Sequence, residues 1–451
     1  MSSEQPTTDA LKSAGKRRDG LILLLLGAVV FLGLGFALEY SASTPSADFR
    51  ALYYPARCLA QNADLYSVSA IAPVYQADSA YFPADDWKAR EIATRNVYPP
   101  TAFTFMMPFA MLSWVPAHRL WLGLTVVSIL FVSALMWRLT ANYAPALAGA
   151  LLALFLVNSE LLVISSNAAG IVVSLCAVAV CCFVGNRFGA LGVLCLAMSL
   201  TIKPQETGLV WLYFLLAGGH YRRRALETLL ATVAIALPAV VWVGHVSPHW
   251  LPEWRANLAA FSAHGAINDP GPASMGGHGL AMVISLQAVL SVFRDDPRFY
   301  NLGSILVTAP LVLVWAAITL RTRATTTRVW LALASIAAIT MLPVYHRQYD
   351  AKLLLLTLPA CLMLWSRRGI LGWVAVLMNT AAFVLTGDLT WALLLGWINH
   401  LPQPTTTRTY EMFLALQVFP APMIVLALGV FYLWAYARSA AASDPESEIA
   451  G

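Results

Sequence analysis

Asp48 is the residue of this chain whose type and position best suit a general base. It follows the first hydrophobic stretch, residues 21–38, and lies near the start of the polar segment 39–100. A carboxylate beside a membrane surface can take the proton of an attacking hydroxyl group. An acid that the helix dipole stabilises in the first turn of a surface helix is the simpler alternative, and both stay open. Arg50, two residues later, is a candidate for the same substrate cavity.

A second polar cluster, residues 346–352, interrupts the later hydrophobic stretches and contains His346, Arg347, Tyr349 and Asp350. A guanidinium fits a phosphate with its planar fork, and a histidine can donate a further hydrogen bond. Anchoring at a membrane interface is the alternative role for such residues. Because topology places the cluster on the side of Asp48, we predict that His346 and Arg347 bind a phosphate and that Tyr349 and Asp350 line the cavity.

Lys203 and Glu206 lie within a hydrophobic region, where charged side chains are costly and usually face the protein interior or a cavity. Their spacing allows a purely structural ion pair along one helix face, and this alternative is the simpler one. The functional alternative is that both line the substrate cavity.

The later polar segment carries Trp250 and Trp254, whose rings could stack on sugars or anchor the chain at the membrane interface. Four histidines occur in or beside this segment, but their spacing fits no standard zinc site. We therefore predict no metal site and no cofactor, and leave assistance by a divalent cation open. The histidines are His245, His249, His264 and His278.

The elements that position these residues follow from composition. The chain is 59% hydrophobic and 11% charged, whereas soluble domains carry about 25% charged residues. Apolar runs of membrane-spanning length recur along the chain, so we predict an all-α polytopic membrane protein. In such a protein the net charge of +5 reflects topology rather than nucleic-acid binding. Five of the six cysteines lie in apolar runs, so no disulfide framework is predicted.

Basic residues set the predicted orientation, because they concentrate in cytoplasmic loops. We predict a cytoplasmic tail at 1–20, one transmembrane domain at 21–438 and a second cytoplasmic tail at 439–451. The loops 39–100 and 246–300 are then extracytoplasmic, and both termini are cytoplasmic.

About twelve transmembrane helices (11–13) fit this orientation of the loops and termini. The count takes 101–115 as a crossing and treats 188–217 as a single crossing, interrupted at Lys203-Pro204 because proline breaks a helix. A re-entrant segment at 388–400 stays open. Within the first loop, residues 47–62 are predicted to form an amphipathic helix on the membrane surface, with tyrosines at headgroup depth. A second helix is predicted at 85–95.

Taken in order, the motifs of the chain resemble glycosyltransferase family 87, the polyprenol-phosphate-mannose-dependent α-1,2-mannosyltransferases. The resemblance covers most of residues 20–366. One difference is the run Ser165–Gly170, where members often carry a Gly-Gln pair. The matching motifs are Ala47-Asp48-Phe49-Arg50, Asp64-Leu65-Tyr66, Tyr98-Pro99-Pro100, Pro108, Lys203-Pro204, His346 and Tyr349-Asp350.

The resemblance implies a GT-C fold, a multi-span helical enzyme that moves a sugar from a lipid phosphate to an acceptor hydroxyl with inversion, on the extracytoplasmic side. It implies that Asp48 is the general base, that His346 contacts the donor phosphate, and that Lys203 is the lysine of the lysine-proline motif.

The predicted function is therefore an inverting glycosyltransferase, most simply a mannosyltransferase of a bacterial plasma membrane. Its predicted partners are a polyprenyl-phosphate-sugar donor, a glycolipid or glycan acceptor and the lipid bilayer, with no nucleic acid. A lipid-linked-sugar flippase or transporter is the main alternative, although only the first half of the chain shows a broken helix. A polysaccharide polymerase or ligase is the third.

Overall fold

The computed structural model describes residues 8–42, 45–82, 87–274, 283–399 and 416–441. It is 80% helical and has no strand within these ranges. One isolated antiparallel bridge pairs Val283 with Arg347. The prediction of an all-helical protein is confirmed.

Twenty α-helices and three 3₁₀ helices make up the described ranges. The 3₁₀ helices are Ser79–Tyr81, Pro100–Ala102 and Asp350–Thr357. The α-helices are α1 (Thr8–Ser41), α2 (Ala47–Ala60), α3 (Val68–Ala77), α4 (Trp87–Thr94), α5 (Phe103–Ala110), α6 (Trp114–Thr140), α7 (Pro145–Val157), α8 (Leu161–Ile164), α9 (Ala169–Val184), α10 (Gly189–Ile202), α11 (Pro204–Leu216), α12 (Gly219–Val246), α13 (Trp250–Phe261), α14 (Leu286–Phe293), α15 (Pro297–Arg321), α16 (Thr326–Ile339), α17 (Leu358–Ser366), α18 (Ile370–Leu385), α19 (Asp388–Asn399) and α20 (Pro420–Ala441).

Six helical segments of the described ranges are long and apolar enough to cross a bilayer. Four further apolar helices, α9, α10, α16 and α18, are shorter. Many large apolar side chains of the long segments are exposed, as expected of surfaces that face lipid. The chain is therefore a membrane protein, as predicted. The six segments are Gly15–Ser41, Trp114–Thr140, Pro145–Ile164, Gly219–Val246, Pro297–Arg321 and Pro420–Ala441.

The prediction that 188–217 forms one interrupted crossing is wrong. The helix does break at Lys203, but the hydroxyl groups of Ser199 and Thr207 lie 3.1 Å apart, which a continuous helix would prevent. The first residue of α10, Gly189, lies against Arg224, and near the end of α11 the Leu215 carbonyl accepts a hydrogen bond from Arg222. Both ends of the segment therefore lie beside the start of α12, and α10 and α11 form a hairpin.

The interpretation of 101–115 as a crossing is also wrong, because the segment is too short to span the membrane. Helix α5 has 8 residues, about 12 Å of helix, far short of a bilayer core of about 30 Å. Thr101 donates a hydrogen bond to the Thr201 carbonyl at the turn of the α10–α11 hairpin. Leu112 accepts one from Tyr53 of α2. The segment thus starts and finishes at the same end of the bundle, which we call the Asp48 end.

Helix α2 does not lie on a surface, so the prediction that residues 47–62 lie on the membrane surface is wrong. Arg50, Tyr53 and Tyr54 are each 0% exposed. Tyr54 stacks on Trp114 of α6 at 5.8 Å between ring centroids. The polar groups are satisfied inside the protein, since Arg57 donates to the Leu112 carbonyl. The aromatic face therefore packs into a core of loop and helix residues rather than into lipid headgroups.

Other predictions for single segments have mixed outcomes. The helix predicted at 85–95 is found as α4, and the segment 388–400 begins with the helix α19. All six cysteines are unpaired. Helix α1 starts at Thr8, inside the predicted tail 1–20. His278 and the last ten residues of the tail 439–451 lie outside the described residues.

Helices α1 and α7 pack closely through small residues, the usual device where lipid removes the hydrophobic drive for association. A methyl group added to Gly149 would overlap the backbone of Gly20, whereas one added to Gly33 would meet nothing within 4 Å. We expect Gly149→Ala to lower the free energy of unfolding by about 1–3 kcal/mol through overpacking. Thermal unfolding in detergent measures this, with Gly33→Ala as the matched control. Equal melting temperatures for the two variants would contradict the interpretation of this interface.

Candidate active site

Asp48 lies in the first turn of α2 and is held there by the segment that joins α8 to α9. Its backbone N–H donates to the Ser165 carbonyl (3.1 Å), and the N–H of Ser46 donates to the Ile164 carbonyl (2.8 Å). The side-chain amide of Asn167 donates to Asp48 Oδ2 at 2.9 Å. Asp48 itself stays half-buried, so one carboxylate oxygen is fixed while the group keeps access to the site.

The start of α2 is reinforced by two serines with left-handed backbones. Ser46 has φ 56° and Ser166 has φ 53°, conformations that are uncommon for residues other than glycine. Both side chains are buried, and Ser166 Oγ donates to Ser46 Oγ at 3.1 Å. His118 Nε2 of α6 also forms a hydrogen bond with Ser46 Oγ. These contacts hold the turn that delivers Asp48.

Lys203 occupies the turn of the α10–α11 hairpin because Pro204 begins the next helix. Proline disfavours helical backbone at the preceding residue and suits the first position of a helix. Lys203 is accordingly extended, with φ −139° and ψ 78°. The turn points the long side chain into the protein, where it is only 6% exposed.

The Lys203 ammonium group links three elements of the bundle. It donates to Asn167 Oδ1 (3.0 Å), Glu206 Oε1 (2.6 Å) and Asp350 Oδ1 (2.8 Å). Three donated bonds satisfy an ammonium group completely. Because Asn167 also holds Asp48, a continuous path of hydrogen bonds runs from Asp48 through Asn167 and Lys203 to Asp350.

Asp350 continues this path to the cluster 346–352. Its second oxygen accepts the backbone N–H of Arg347 at 2.9 Å. The Ile284 N–H donates a further hydrogen bond to the His346 carbonyl at 2.9 Å. The residues just before α14 therefore hold the segment from the other side. The structure thereby brings Asp48, Lys203, Glu206, His346, Arg347 and Asp350 together at the Asp48 end.

The His346 imidazole is buried, and its Nε2 atom has no hydrogen-bond partner among the described residues. Nδ1 lies 3.0 Å from the Val344 carbonyl, which can only accept, so Nδ1 carries the proton in that bond. Burial lowers the pKa of His346, and the Asp350 carboxylate offsets this only in part. The free protein therefore holds a neutral imidazole with a bare Nε2, an unsatisfied group of the kind that marks a ligand site.

Arg347 and two tyrosines complete the cluster. Arg347 Nε donates to the Tyr345 hydroxyl, and Arg347 Nη2 donates to the Ile267 carbonyl at 3.4 Å. The ring of Tyr349 lies 5.0 Å from the Lys203 ammonium group. Burial raises the pKa of Tyr349, and the negative charge of Asp48 raises it further.

Two residues of this site were missed by the sequence reasoning. Asn167, the bridge between Asp48 and Lys203, is marked only by a short polar run between two apolar stretches. Tyr98 was noted only as part of a motif. Burial raises the pKa of its hydroxyl, and the charges of Lys203 and Asp48 act on that pKa in opposite directions.

Three sequence candidates have other surroundings. Arg50 donates to the Pro45 carbonyl at 2.7 Å, and its guanidinium lies 3.9 Å from the Phe82 ring centroid. Trp254 donates to the Val97 carbonyl at 2.8 Å, and Trp250 packs against Tyr66. These contacts fasten the outer helices to one another and include no member of the Lys203 cluster.

One group of side chains could hold a metal ion among the described residues. His264, Asp269 and Asp295 offer ligand atoms within 4.8 Å of one another. However, Asp269 already accepts bonds from the N–H groups of Gly265 and Gly271 and from the Tyr300 hydroxyl. Its oxygens therefore serve the loop, and the prediction of no metal stays a prediction.

The fold and this site define a helical membrane protein with a charged, partly buried centre at one end of its bundle. The family model described as glycosyltransferase family 87 matches residues 96–345, more than half of the chain. The protein belongs to glycosyltransferase family 87 and is a glycosyltransferase, as the resemblance implied. Comparison with curated proteins and with solved structures gave no match. The matched region contains Lys203, while Asp48 and His346 lie outside it.

Proposed function

We propose that this glycosyltransferase takes a sugar, most simply mannose, from a polyprenyl-phosphate donor and transfers it with inversion to a hydroxyl group of a glycolipid or glycan. The observation that carries the proposal is the hydrogen-bonded path from Asp48 through Asn167, Lys203 and Asp350 to Arg347. A candidate base and a candidate phosphate site thus share one rigid centre. Membership of the family favours this enzyme over a flippase or transporter.

Each residue has a definite role in this mechanism. The acceptor oxygen attacks the anomeric carbon while its proton passes to Asp48, and the bond between that carbon and the phosphate oxygen breaks. The electron pair of that bond stays on the phosphate, so negative charge develops there. Arg347 and a protonated His346 would stabilise that charge, which is the most effective use of fixed donors. Polyprenyl phosphate leaves along the helices.

Asn167, Lys203, Glu206, Tyr349 and Asp350 support these groups in the proposal. Lys203 has no free proton for the substrate, because its three bonds go to Asn167, Glu206 and Asp350. It therefore acts by holding the base and the phosphate site at a fixed separation. Tyr349 forms the wall of the cavity between them.

We infer that the chain crosses the membrane about twelve times as one domain, residues 21–438. The hairpin α10–α11 adds one crossing to the predicted number and the short α5 removes one. The number of crossings therefore stays even, and both termini stay on the same side. The basic residues around Arg222 would then be cytoplasmic, with the tails 1–20 and 439–451. The Asp48 end, with the loops 39–100 and 246–300, would be extracytoplasmic, in a bacterial plasma membrane.

The donor class is tested with purified protein and three radiolabelled mannose donors, namely polyprenyl-phosphate mannose, polyprenyl-diphosphate mannose and a nucleotide-diphosphate mannose. The proposal requires transfer to a glycolipid acceptor from the monophosphate lipid alone. Transfer from the nucleotide donor, or equal transfer from the diphosphate lipid, would contradict it. Other polyprenyl-phosphate sugars then identify the sugar if mannose is not the one transferred.

A further inference from the structure

A cleft on the outer loops lies next to the proposed active site and contains none of the residues given a role in the reaction. It has a volume of about 430 Å³ and is lined by Trp87, Glu91, Phe261, His264 and Ile267, among others. We call it the Trp87 cleft. Its walls come from α4, from the end of α13 and from the loop that follows α13.

Each wall of the Trp87 cleft leads to one reacting group. Helix α4 packs against α2, the helix that carries Asp48, and its residues Ala89 and Ala93 are buried. On the opposite wall, the carbonyl of Ile267 accepts the hydrogen bond from Arg347 Nη2. A molecule bound in the cleft would therefore lie against the helix that packs on α2 and against the loop that contacts the proposed phosphate site.

The two walls are also held at a fixed distance. Trp254 and Asn257 of α13 donate to the carbonyl groups of Val97 (2.8 Å) and Asn96 (3.1 Å), which directly follow α4. Asn257 is buried. These bonds tie α13 to the chain of the first loop, so the cleft is a preformed feature, as binding sites for small ligands usually are.

The lining suits a hydroxyl-rich, uncharged ligand. Trp87 is 48% exposed, and its flat apolar ring with one polar N–H is suited to the C–H face of a sugar. Trp87 and Glu91 are four residues apart and so share one face of α4. The charges present are already paired, Glu91 with Arg95 at 2.7 Å and His264 with Asp295 at 3.0 Å. The carboxylate and the imidazole remain as partners for hydroxyl groups, and the ammonium group of Lys88 lies 5.8 Å from the Trp87 ring centroid.

We propose that the Trp87 cleft is a binding subsite for a neutral oligosaccharide, the part of the acceptor that lies beyond the sugar undergoing transfer. The inference rests on the proposed function for its role in the reaction, but binding can be measured without any donor. Trp87 supplies the stacking surface, and Glu91 and His264 bind hydroxyl groups at its edge.

The test measures binding of a neutral mannotriose to detergent-solubilised full-length protein by saturation-transfer NMR, without donor. We expect binding by wild type, about tenfold weaker binding by Trp87→Ala, and recovery of most of the affinity in Trp87→Phe. Tyr81→Ala is the matched control, because Tyr81 is an exposed aromatic residue of the same loop outside the cleft. In transfer assays, Trp87→Ala should raise the acceptor KM about tenfold and leave the donor KM unchanged.

Several results would overturn this inference, two of them in the binding assay with mannotriose. One is binding by Trp87→Ala within twofold of wild type, and the other is absence of binding by wild type at about 10 mM trisaccharide. An acidic trisaccharide that binds as well as mannotriose would also contradict the neutral class. The binding assay contains no donor, so binding of mannotriose together with a failure of sugar transfer would overturn only the proposed function. Sugar transfer with the same acceptor KM in Trp87→Ala as in wild type would overturn only the subsite.

Discussion

Asp48→Asn should lower sugar transfer by about 10²–10⁴-fold, the usual contribution of a general base. Asparagine keeps the shape of the side chain, and its carbonyl oxygen can still accept the hydrogen bond from Asn167 that holds Asp48 at 2.9 Å. Only the ability to take a proton is lost. The loss should therefore fall on kcat with little change in melting temperature, both measured on purified protein.

The control for this substitution is Asp78→Asn, an isosteric change in the same loop. Asp78 accepts a hydrogen bond from Tyr54 at 3.2 Å, which an asparagine oxygen can also accept. Transfer by this variant should stay within a few-fold of wild type. Equal activity of Asp48→Asn and Asp78→Asn would show that Asp48 is only a helix-start residue and that the base lies elsewhere.

Lys203→Met should cost about 3–5 kcal/mol of folding free energy, the usual effect of removing one partner from a buried ion pair. The change leaves the oxygens of Glu206 and Asp350 without the ammonium group that lies 2.6 and 2.8 Å away. It also releases Asn167 from one of its bonds. Activity should fall with stability, because the link between Asp48 and Arg347 is cut.

Two further variants separate this effect from a general loss of charge. Arg223→Ala removes a similar pair with Glu227, but Arg223 is exposed, so little change in melting temperature is expected. Adding Glu206→Gln to Lys203→Met should recover part of the lost stability, since it removes one of the two uncompensated acids. A Lys203→Met protein as stable and active as wild type would show that the cluster is dispensable.

How far the sequence predicts this structure depends on whether a feature is local. The break at Lys203 follows from the proline after it, so it was predictable, but the direction of the chain after the break was not. A proline permits both a kinked single crossing and a hairpin. Contacts between residues far apart in the sequence, such as that between Arg224 and Gly189, distinguish them. Counting 101–115 as a crossing and α10–α11 as one crossing are errors of opposite sign, so the predicted number of crossings was unchanged.

The site shows the same division between local and long-range information. Asp48, Lys203, His346 and Asp350 stand out as ionisable residues at the ends of apolar stretches. Asn167 carries no charge, and its role depends on side chains 119 and 36 residues away. Helix α2 was placed on the membrane because its pattern is amphipathic. Its arginines donate to the carbonyl groups of Leu112 and Pro45 and its aromatic face packs on Trp114, contacts that a helical pattern does not reveal.

The central claim is that Asp48 and the pair His346–Arg347 perform separate tasks in one site, and binding of polyprenyl phosphate tests it most directly. We predict that Asp48→Asn binds this lipid as wild type does, whereas Arg347→Met binds it at least tenfold more weakly. Since burial lowers the pKa of free His346 and phosphate requires a donor at Nε2, binding should take up a proton. Wild-type affinity should therefore fall as pH rises through the bound-state pKa, and His346→Gln should lose this dependence. Unchanged affinity in Arg347→Met, or the same pH dependence in His346→Gln, would contradict the account.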